Sequence, residues 1–421
     1  MFDNGETPER AILVGVCRNL LNPLLDTTDE SMRELSCLAE TAGAEVLGEM
    51  VQNREAPDKA TFIGEGKLEE LCEMCKNLGA NLVIFDDELT GSQLKNIEKA
   101  LGEDIRVIDR SALILDIFAN RALSSAGKLQ VELAQLKYAL PQLSGGYTSL
   151  SRTGGGIGTR GPGETKIETD RRYIRTRIGA LTRELEALTK HRELIRSGRK
   201  KREVPTAALV GYTNAGKSTL LNALTGASVL AEDKLFATLD PTSRAIVLPD
   251  GREAVLTDTV GFIRKLPHKL IEAFKSTLEE ASEADVIVHV IDSSSPEMDN
   301  QIEVVKTLLE ELHCSDKPTV SVFNKCDLAE DKPRPPKLDN CVYISAKKED
   351  GLEKLIDALD NTLPGKRRKL KVLIPFTDGR AVNDIQLLGS IISIDYTENG
   401  TLIEFMADPK AISLYGKYIY E

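Results

Sequence analysis

Eight consecutive residues, Gly211, Tyr212, Thr213, Asn214, Ala215, Gly216, Lys217 and Ser218, match the pattern GxxxxGK[ST] between an apolar run at 207–210 and a helical pattern at 219–224. Strand, glycine loop and helix start in that order form a phosphate cradle. The glycines let backbone N–H groups curl around phosphate oxygens, and the helix aims its positive end at them. Lys217 would reach the β- and γ-phosphates, and the Ser218 hydroxyl would ligate Mg²⁺.

Three further motifs follow, each at the end of an apolar run. Asp258, Thr259, Val260 and Gly261 come after 254–257, placing a carboxylate where it can hold Mg²⁺ through water and an N–H, that of Gly261, where it can meet the γ-phosphate. Asn324, Lys325, Cys326 and Asp327 close the run 319–323. The Asp327 carboxylate can accept from both the ring N–H and the exocyclic amine of guanine, a charge-assisted pair. Adenine lacks those two donors and would leave the carboxylate unpaired, so it should be rejected strongly. Ser345, Ala346 and Lys347 follow 342–344 and make a loop whose backbone would donate to the guanine carbonyl. Any one motif is weak; four in this order specify a site for GTP and GDP.

Between the first two motifs, Phe236, Ala237, Thr238, Leu239 and Asp240 form a loop expected to bring a threonine to Mg²⁺ and the γ-phosphate. Thr238 is expected over Thr242, because Pro241 holds Asp240 extended and the next residues enter a strand that pairs through the Asp250-Gly251 turn. The expected catalytic group is therefore Lys217, Thr238 and Gly261, with Ser218, Thr238 and Asp258 around Mg²⁺. After Gly261 stands Phe262, where many such switches carry a glutamine that orients the attacking water. A phenyl ring cannot hydrogen-bond water, so unassisted hydrolysis should be slow.

The elements that must position these groups read as an α/β chain. Residues 1–109 alternate apolar and amphipathic runs, predicting a small α/β domain with a mostly parallel sheet. From Arg110 to Leu140 the pattern is one long helix with an apolar stripe at Leu129, Leu133, Leu136 and Leu140, stopped by Pro141. A Gly-rich loop, 142–163, leads to a second long helix at 164–199, so 110–203 reads as a helical hairpin. Residues 204–364 form the P-loop nucleotide domain with a mostly parallel sheet, and 365–421 a small α+β domain in the order βαββα. Pro364, Gly365 and a basic run at 366–369 link the last two.

Composition narrows the setting. The seven cysteines are scattered without a frame, which argues for reduced thiols; Cys72 and Cys75 fit a shared helix face better than a metal or redox pair. No run of about 18 uncharged apolar residues and no basic-then-apolar N-terminus occur, so a cytoplasmic protein is expected. The net charge of −12 speaks against nucleic acid, yet residues 152–202 carry 15 Lys/Arg against 6 Asp/Glu. That basic stretch includes six glycines within 154–163, and no aromatic between Ser149 and Arg172 could stack on bases. Arg152, Arg160, Arg171 and Arg172 on such a backbone suit a folded RNA surface recognised by shape and phosphate.

The segments Thr61-Phe-Ile-Gly-Glu-Gly-Lys67, Asp109-Arg110-Ser-Ala-Leu-Ile-Leu-Asp-Ile-Phe118, Gln130-Val-Glu-Leu-Ala-Gln-Leu136, the GGGIGTRGPGET loop and Phe236-Ala-Thr-Leu-Asp240 resemble the HflX family of translational GTPases over roughly residues 10–365. The resemblance implies a GTP hydrolase that binds the large ribosomal subunit through its rRNA and separates stalled or idle ribosomes into subunits, with hydrolysis driving release. It implies no role for DNA, a monomer, and no requirement for a membrane beyond peripheral association. Related GTPases with asparagine at the position of Asn214 hold K⁺ beside the phosphates. Leu140-Pro-Gln142-Leu departs from the family by lacking an arginine after the proline. The competing reading is a nucleotide-dependent adaptor for a protein or membrane partner. An adenine-nucleotide site at Gly64-Glu-Gly66-Lys67 lacks a full phosphate loop and reads as a turn and helix start.

Overall fold

The computed structural model describes residues 9–18, 28–143, 162–201, 204–226, 235–236, 241–265, 280–329, 338, 340–388 and 390–420. The chain packs as two compact units. The first is Met1–Glu193 with Glu232–Asp240 and Val260–Thr277, and the second is Leu194–Ala231 with Pro241–Thr259 and Leu278–Glu421. Two stretches of the expected nucleotide domain thus pack in the first unit.

In the first unit, strands β1 (Arg10–Cys17), β2 (Glu45–Asn53), β3 (Leu82–Phe85) and β4 (Arg106–Asp109) form a wholly parallel sheet in the order β2-β1-β3-β4. The apolar run of β1 is buried along nearly its whole length, as a parallel strand covered on both faces must be. Helix α1 (Thr28–Ala42) packs on β1, while α2 (Glu65–Leu78) and α3 (Gly91–Leu101) bring Leu71, Cys75 and Ile97 onto Ile12, Val14 and Val83. Thr90 caps α3 in a capping box with Gln93. Cys75 is therefore core, and burial pushes its thiol up to about 11.

The single helix expected at 110–140 is two. Helix α4 (Arg110–Arg121) starts at an Asp109 cap, and the chain breaks at 122–124. There the Ser124 hydroxyl accepts from Gly127 N at 2.9 Å and starts α5 (Ser125–Gln142). Pro141 lies inside the last turn of α5 rather than ending it. Helix α6 (Pro162–Lys201) is joined to α5 by a bidentate pair, Arg177 to Glu132 at 2.7 and 2.9 Å. Most of the Gly-rich loop, with Arg152 and Arg160, lies outside the described residues.

In the second unit the sheet runs β10-β9-β8-β5-β7-β6. Its strands are β5 (Thr206–Gly211), β6 (Thr242–Val247), β7 (Glu253–Asp258), β8 (Val286–Asp292), β9 (Thr319–Asn324) and β10 (Cys341–Tyr343). All neighbours are parallel except β6, which pairs antiparallel with β7. The turn at Asp250-Gly251 joins them, with Gly251 at φ 78°. After the last helix of this sheet, Leu352–Thr362, come β11 (Arg368–Ile374), a helix Gly379–Leu388, β12 (Ser390–Thr397), β13 (Gly400–Ala407) and a helix Pro409–Tyr415. The three strands make an antiparallel sheet, β11-β13-β12, around Val372, Ile374, Ile403 and Phe405. The architecture is the α/β arrangement that the sequence predicts. Among the described residues no helix is long and apolar enough to cross a membrane.

Arg252 fastens the β6–β7 turn to the end of helix Leu352–Thr362. Its guanidinium bonds Asp250, Asp360 Oδ1 at 2.9 Å and the Pro364 carbonyl, and all three side chains are buried. Arg252→Ala removes the charge partner of buried Asp250, which keeps only the backbone N–H groups of residues 252 and 367 at 3.0 and 2.8 Å, and the expected loss is about 3 kcal/mol of stability. Denaturant unfolding of the variant checks this; a change below about 1 kcal/mol would refute it.

Candidate nucleotide site

The phosphate loop leaves β5 at Gly211, which packs so closely on β8 that a Cβ there would lie 2.2 Å from the Val290 carbonyl oxygen. Asn214 and Gly216 take left-handed conformations, φ 60° and 90°, and helix α7 (Lys217–Thr225) begins immediately after. The loop is thus a backbone curl ending on a helix N-terminus, a concavity of N–H groups. Thr213 is buried within it and Asn214 faces solvent.

Lys217 folds back on the loop and donates to the Gly211 and Tyr212 carbonyls at 3.1 and 2.9 Å. Burial lowers its pKa to about 8, with Asp258 opposing the shift. The Ser218 hydroxyl donates to Asp258 Oδ2 at 2.7 Å, bringing together a helix start and the buried end of β7. Thr259 donates to the Leu209 carbonyl at 2.7 Å and locks the two strand ends. These atoms hold their own protein partners and would exchange them for a ligand's.

The opposite side of the site is braced by Asn324, at the end of β9. Its Nδ2 donates to the Ala215 carbonyl and its Oδ1 accepts from Ala346 N, both at 2.9 Å. A Cβ on Gly216 would meet that same amide at 2.3 Å. Lys325, at φ 61°, turns back to pair with Asp292 at 2.8 Å. The Cys326 thiol donates to the Phe323 carbonyl. Ser345 donates to Asp327 Oδ1 at 2.7 Å, and Lys348 stands 3.6 Å from Oδ2. The Ser345 bond is the chief cause that holds the Asp327 carboxyl below its usual range. Lys347 is exposed beside them.

All four motifs therefore have described geometry, but they do not all lie in one unit. Val260 and Gly261 belong to the first unit, as does Phe236, whose ring meets that of Phe118 edge-on at 4.7 Å. Ala237, Thr238, Leu239 and Asp240 lie outside the described residues, whereas Thr242 is in β6 opposite Asp258. Arg171 and Arg172 sit on α6, the latter exposed.

Sequence reasoning passed over Asp292, Lys348 and His289. Asp292 ends a strongly apolar strand, the same position that marked Asp258 and Asn324, and could have been found that way. His289 is buried on β8 opposite Val210, and burial, then the Lys217 charge, lowers its pKa to about 4. Nothing in a VIVHVID strand signals that.

Family models match three stretches: "GTP-binding GTPase N-terminal" over 29–119, "GTP-binding GTPase Middle Region" over 121–199 and "50S ribosome-binding GTPase" over 206–325. The chain is 54% identical over 396 residues to the GTPase HflX of Caldanaerobacter subterraneus, covering 94% of this chain and 90% of that one. To the GTPase HflX of Escherichia coli it is 44% identical over 409 residues, covering 96% and 94%. It is also similar to a crystal structure of a GTP-binding protein from the hyperthermophilic archaeon Sulfolobus solfataricus in complex with GDP. That likeness is 26% identical with a TM-score of 0.43, and covers 84% of this chain and 98% of that one.

Asn324→Ala removes both bonds of the brace and leaves the Ala215 carbonyl and the Ala346 N–H in a buried setting without it. At about 1–3 kcal/mol for a stranded group, guanine-nucleotide affinity should fall at least about tenfold. Titration with a fluorescent GDP reads this, and unchanged affinity would show that the loops hold themselves.

Proposed function

The chain belongs to the HflX family of GTPases, and on that premise we propose that its GTP cycle gates binding to the large ribosomal subunit, separates ribosomes into subunits, and uses hydrolysis for release. GTP binding and hydrolysis come with the family. The ribosomal step is the proposal. The observation that carries it is the concentration of positive charge at 152–202, 15 Lys/Arg against 6 Asp/Glu, in a chain of net charge −12. Arg152 and Arg160 on the loop, with Arg171 and Arg172 on α6, are the proposed contacts to rRNA backbone. The match of residues 206–325 to the family model of a 50S ribosome-binding GTPase supports the same partner. The reading places the protein in the cytoplasm as a monomer, with no DNA partner and no required membrane.

In the proposed site, Lys217 exchanges the Gly211 and Tyr212 carbonyls for the β- and γ-phosphates, and the N–H groups of 212–217 close around them. A hydroxyl and a carboxylate, Ser218 and Asp258, already 2.7 Å apart, are the hard oxygen donors that Mg²⁺ takes. They would hold it, Asp258 through water, with Thr238 as the proposed further ligand. Mg²⁺ held by these residues would supply neutralisation of the phosphate charge. Asp327, held ionised by Ser345, accepts from guanine, while the Ala346 loop lies beside it. Gly261 is assigned to the γ-phosphate. Phe262, 1% exposed, offers nothing to the attacking water, so a partner must complete the site.

Asn214, solvent-facing at the crest of the loop, supplies a carbonyl oxygen of the kind a monovalent cation takes, and we assign it to K⁺. Hydrolysis should then run several-fold faster in K⁺ than in Na⁺ buffer, a gap that Asn214→Ala removes; equal rates in the two salts for the wild-type chain would discard the assignment.

Sedimentation tests the main reading. With GTP or a slowly hydrolysed analogue, the protein should shift ribosomes towards free subunits, and Arg152→Ala with Arg160→Ala should abolish ribosome binding while GTP affinity stays within about twofold. An unchanged ribosome profile with the wild-type protein would overturn splitting. Full binding by the double variant would point instead to an adaptor for another partner.

A further inference from the structure

In the N-terminal sheet, the order β2-β1-β3-β4 means that the chain winds outward one way from β1 and then returns past it, so the winding reverses between β1 and β3. In sheets of this kind the crevice at the carboxyl ends of those two strands is where ligands sit. Its floor here is charged. Asp86, directly after β3, is 2% exposed; Ser31 donates to its Oδ2 at 2.7 Å and Arg110 to its Oδ1 at 3.1 Å. The same guanidinium pairs with Glu34. Two carboxylates against one guanidinium leave the crevice short of a positive charge, while Asp87 at its edge is paired with Arg18 at 3.1 Å.

A lysine from far along the chain fills it. Lys265 pairs with Asp86 and stands 3.1 Å from Asp87 Oδ1, while Arg264 pairs with Glu30 at 3.3 Å. Burial works to raise the Asp86 carboxyl, and Arg110, then Lys265, overcome it and hold it below its usual range. Lys265 has φ 52°, a left-handed conformation that a lysine keeps only when its surroundings hold it. Phe236 shows the same combination: φ 54°, buried, and seated against Phe118 of α4, the helix whose first residue is Arg110.

We propose that Lys265 is a positioning residue for GTP hydrolysis: its ammonium, seated in the acidic crevice of the N-terminal sheet, tethers the segment 260–265 and so sets where Gly261 and Phe262 are held. The tether concerns the GTPase reaction alone and does not depend on which partner the protein serves. Lys265 lies four residues past Gly261, so a fixed ammonium leaves that short segment few conformations.

Lys265→Met keeps the apolar stem and removes the charge. The kcat should fall about fivefold while GTP affinity stays within about twofold, and Lys265→Arg should retain most of the rate. Hydrogen exchange should quicken at 260–265 in Lys265→Met. Because the pair is partly exposed, high salt should produce the same quickening in the wild-type chain, but none further in the variant. An unchanged or raised kcat, a joint fall of rate and affinity, or exchange at 260–265 that ignores both charge and salt overturns the proposal.

Discussion

One side-chain amide holds the nucleotide site together. Asn324 ends β9 and reaches back across the sheet to the phosphate loop at Ala215 and forward to the loop at Ala346, so the region for phosphate and the region for the base share one buried strut. Gly216 must be glycine partly because that amide occupies the space of its Cβ. The left-handed turn at Lys325 then sends the chain away, and the Asp292 pair keeps it turned. The loops at Ala215 and Ala346 are in this way both referred to one strand end.

The two sides of the site are nonetheless prepared differently. On the base side the protein bonds are ones that a ligand can leave in place: Ser345 on Asp327, Ala346 on Asn324, and the paired backbones of Ser345 and Asp350. On the phosphate side Lys217 and Ser218 occupy themselves with the loop's own carbonyls and with Asp258. Ligand binding there is an exchange of hydrogen bonds, in which the gain is the difference between charge-assisted bonds to phosphate and the internal ones given up. The base side is thus arranged in advance by its own hydrogen bonds, whereas the phosphate side holds internal bonds that a ligand would have to replace.

The motif residues were legible because their chemistry is local. A glycine loop between strand and helix, or an acid at the end of an apolar run, is contained in eight or ten residues, and the parallel strands announced themselves by unbroken apolar runs. The break between α4 and α5 escaped because Leu123 continues the apolar content across it; the Ser124 cap was the signal, and a serine in a long helical pattern is easily taken as a solvent-facing residue. The Asp86–Lys265 pair spans 179 residues and leaves no trace in either segment alone. Nor does sequence periodicity reveal that Phe236 and the segment from Val260 pack in the unit of the N-terminal sheet rather than in that of β5–β10, because such membership is decided by tertiary packing.

Phe262 joins these observations. A glutamine at that position would be free to turn towards water, which requires the side chain to remain accessible and polar. A phenyl ring at 1% exposure is instead committed to packing, and the apolar area it buries stabilises one arrangement of the segment. Losing the water-orienting group and gaining a fixed segment are two results of a single residue choice. With Ile263 also buried and Arg264 and Lys265 both paired to carboxylates, four consecutive side chains hold the segment that follows Gly261. Packing on one side and charge pairing on the other leave the segment few alternative conformations, so the path of the chain after Gly261 is set jointly by burial and by ion pairs.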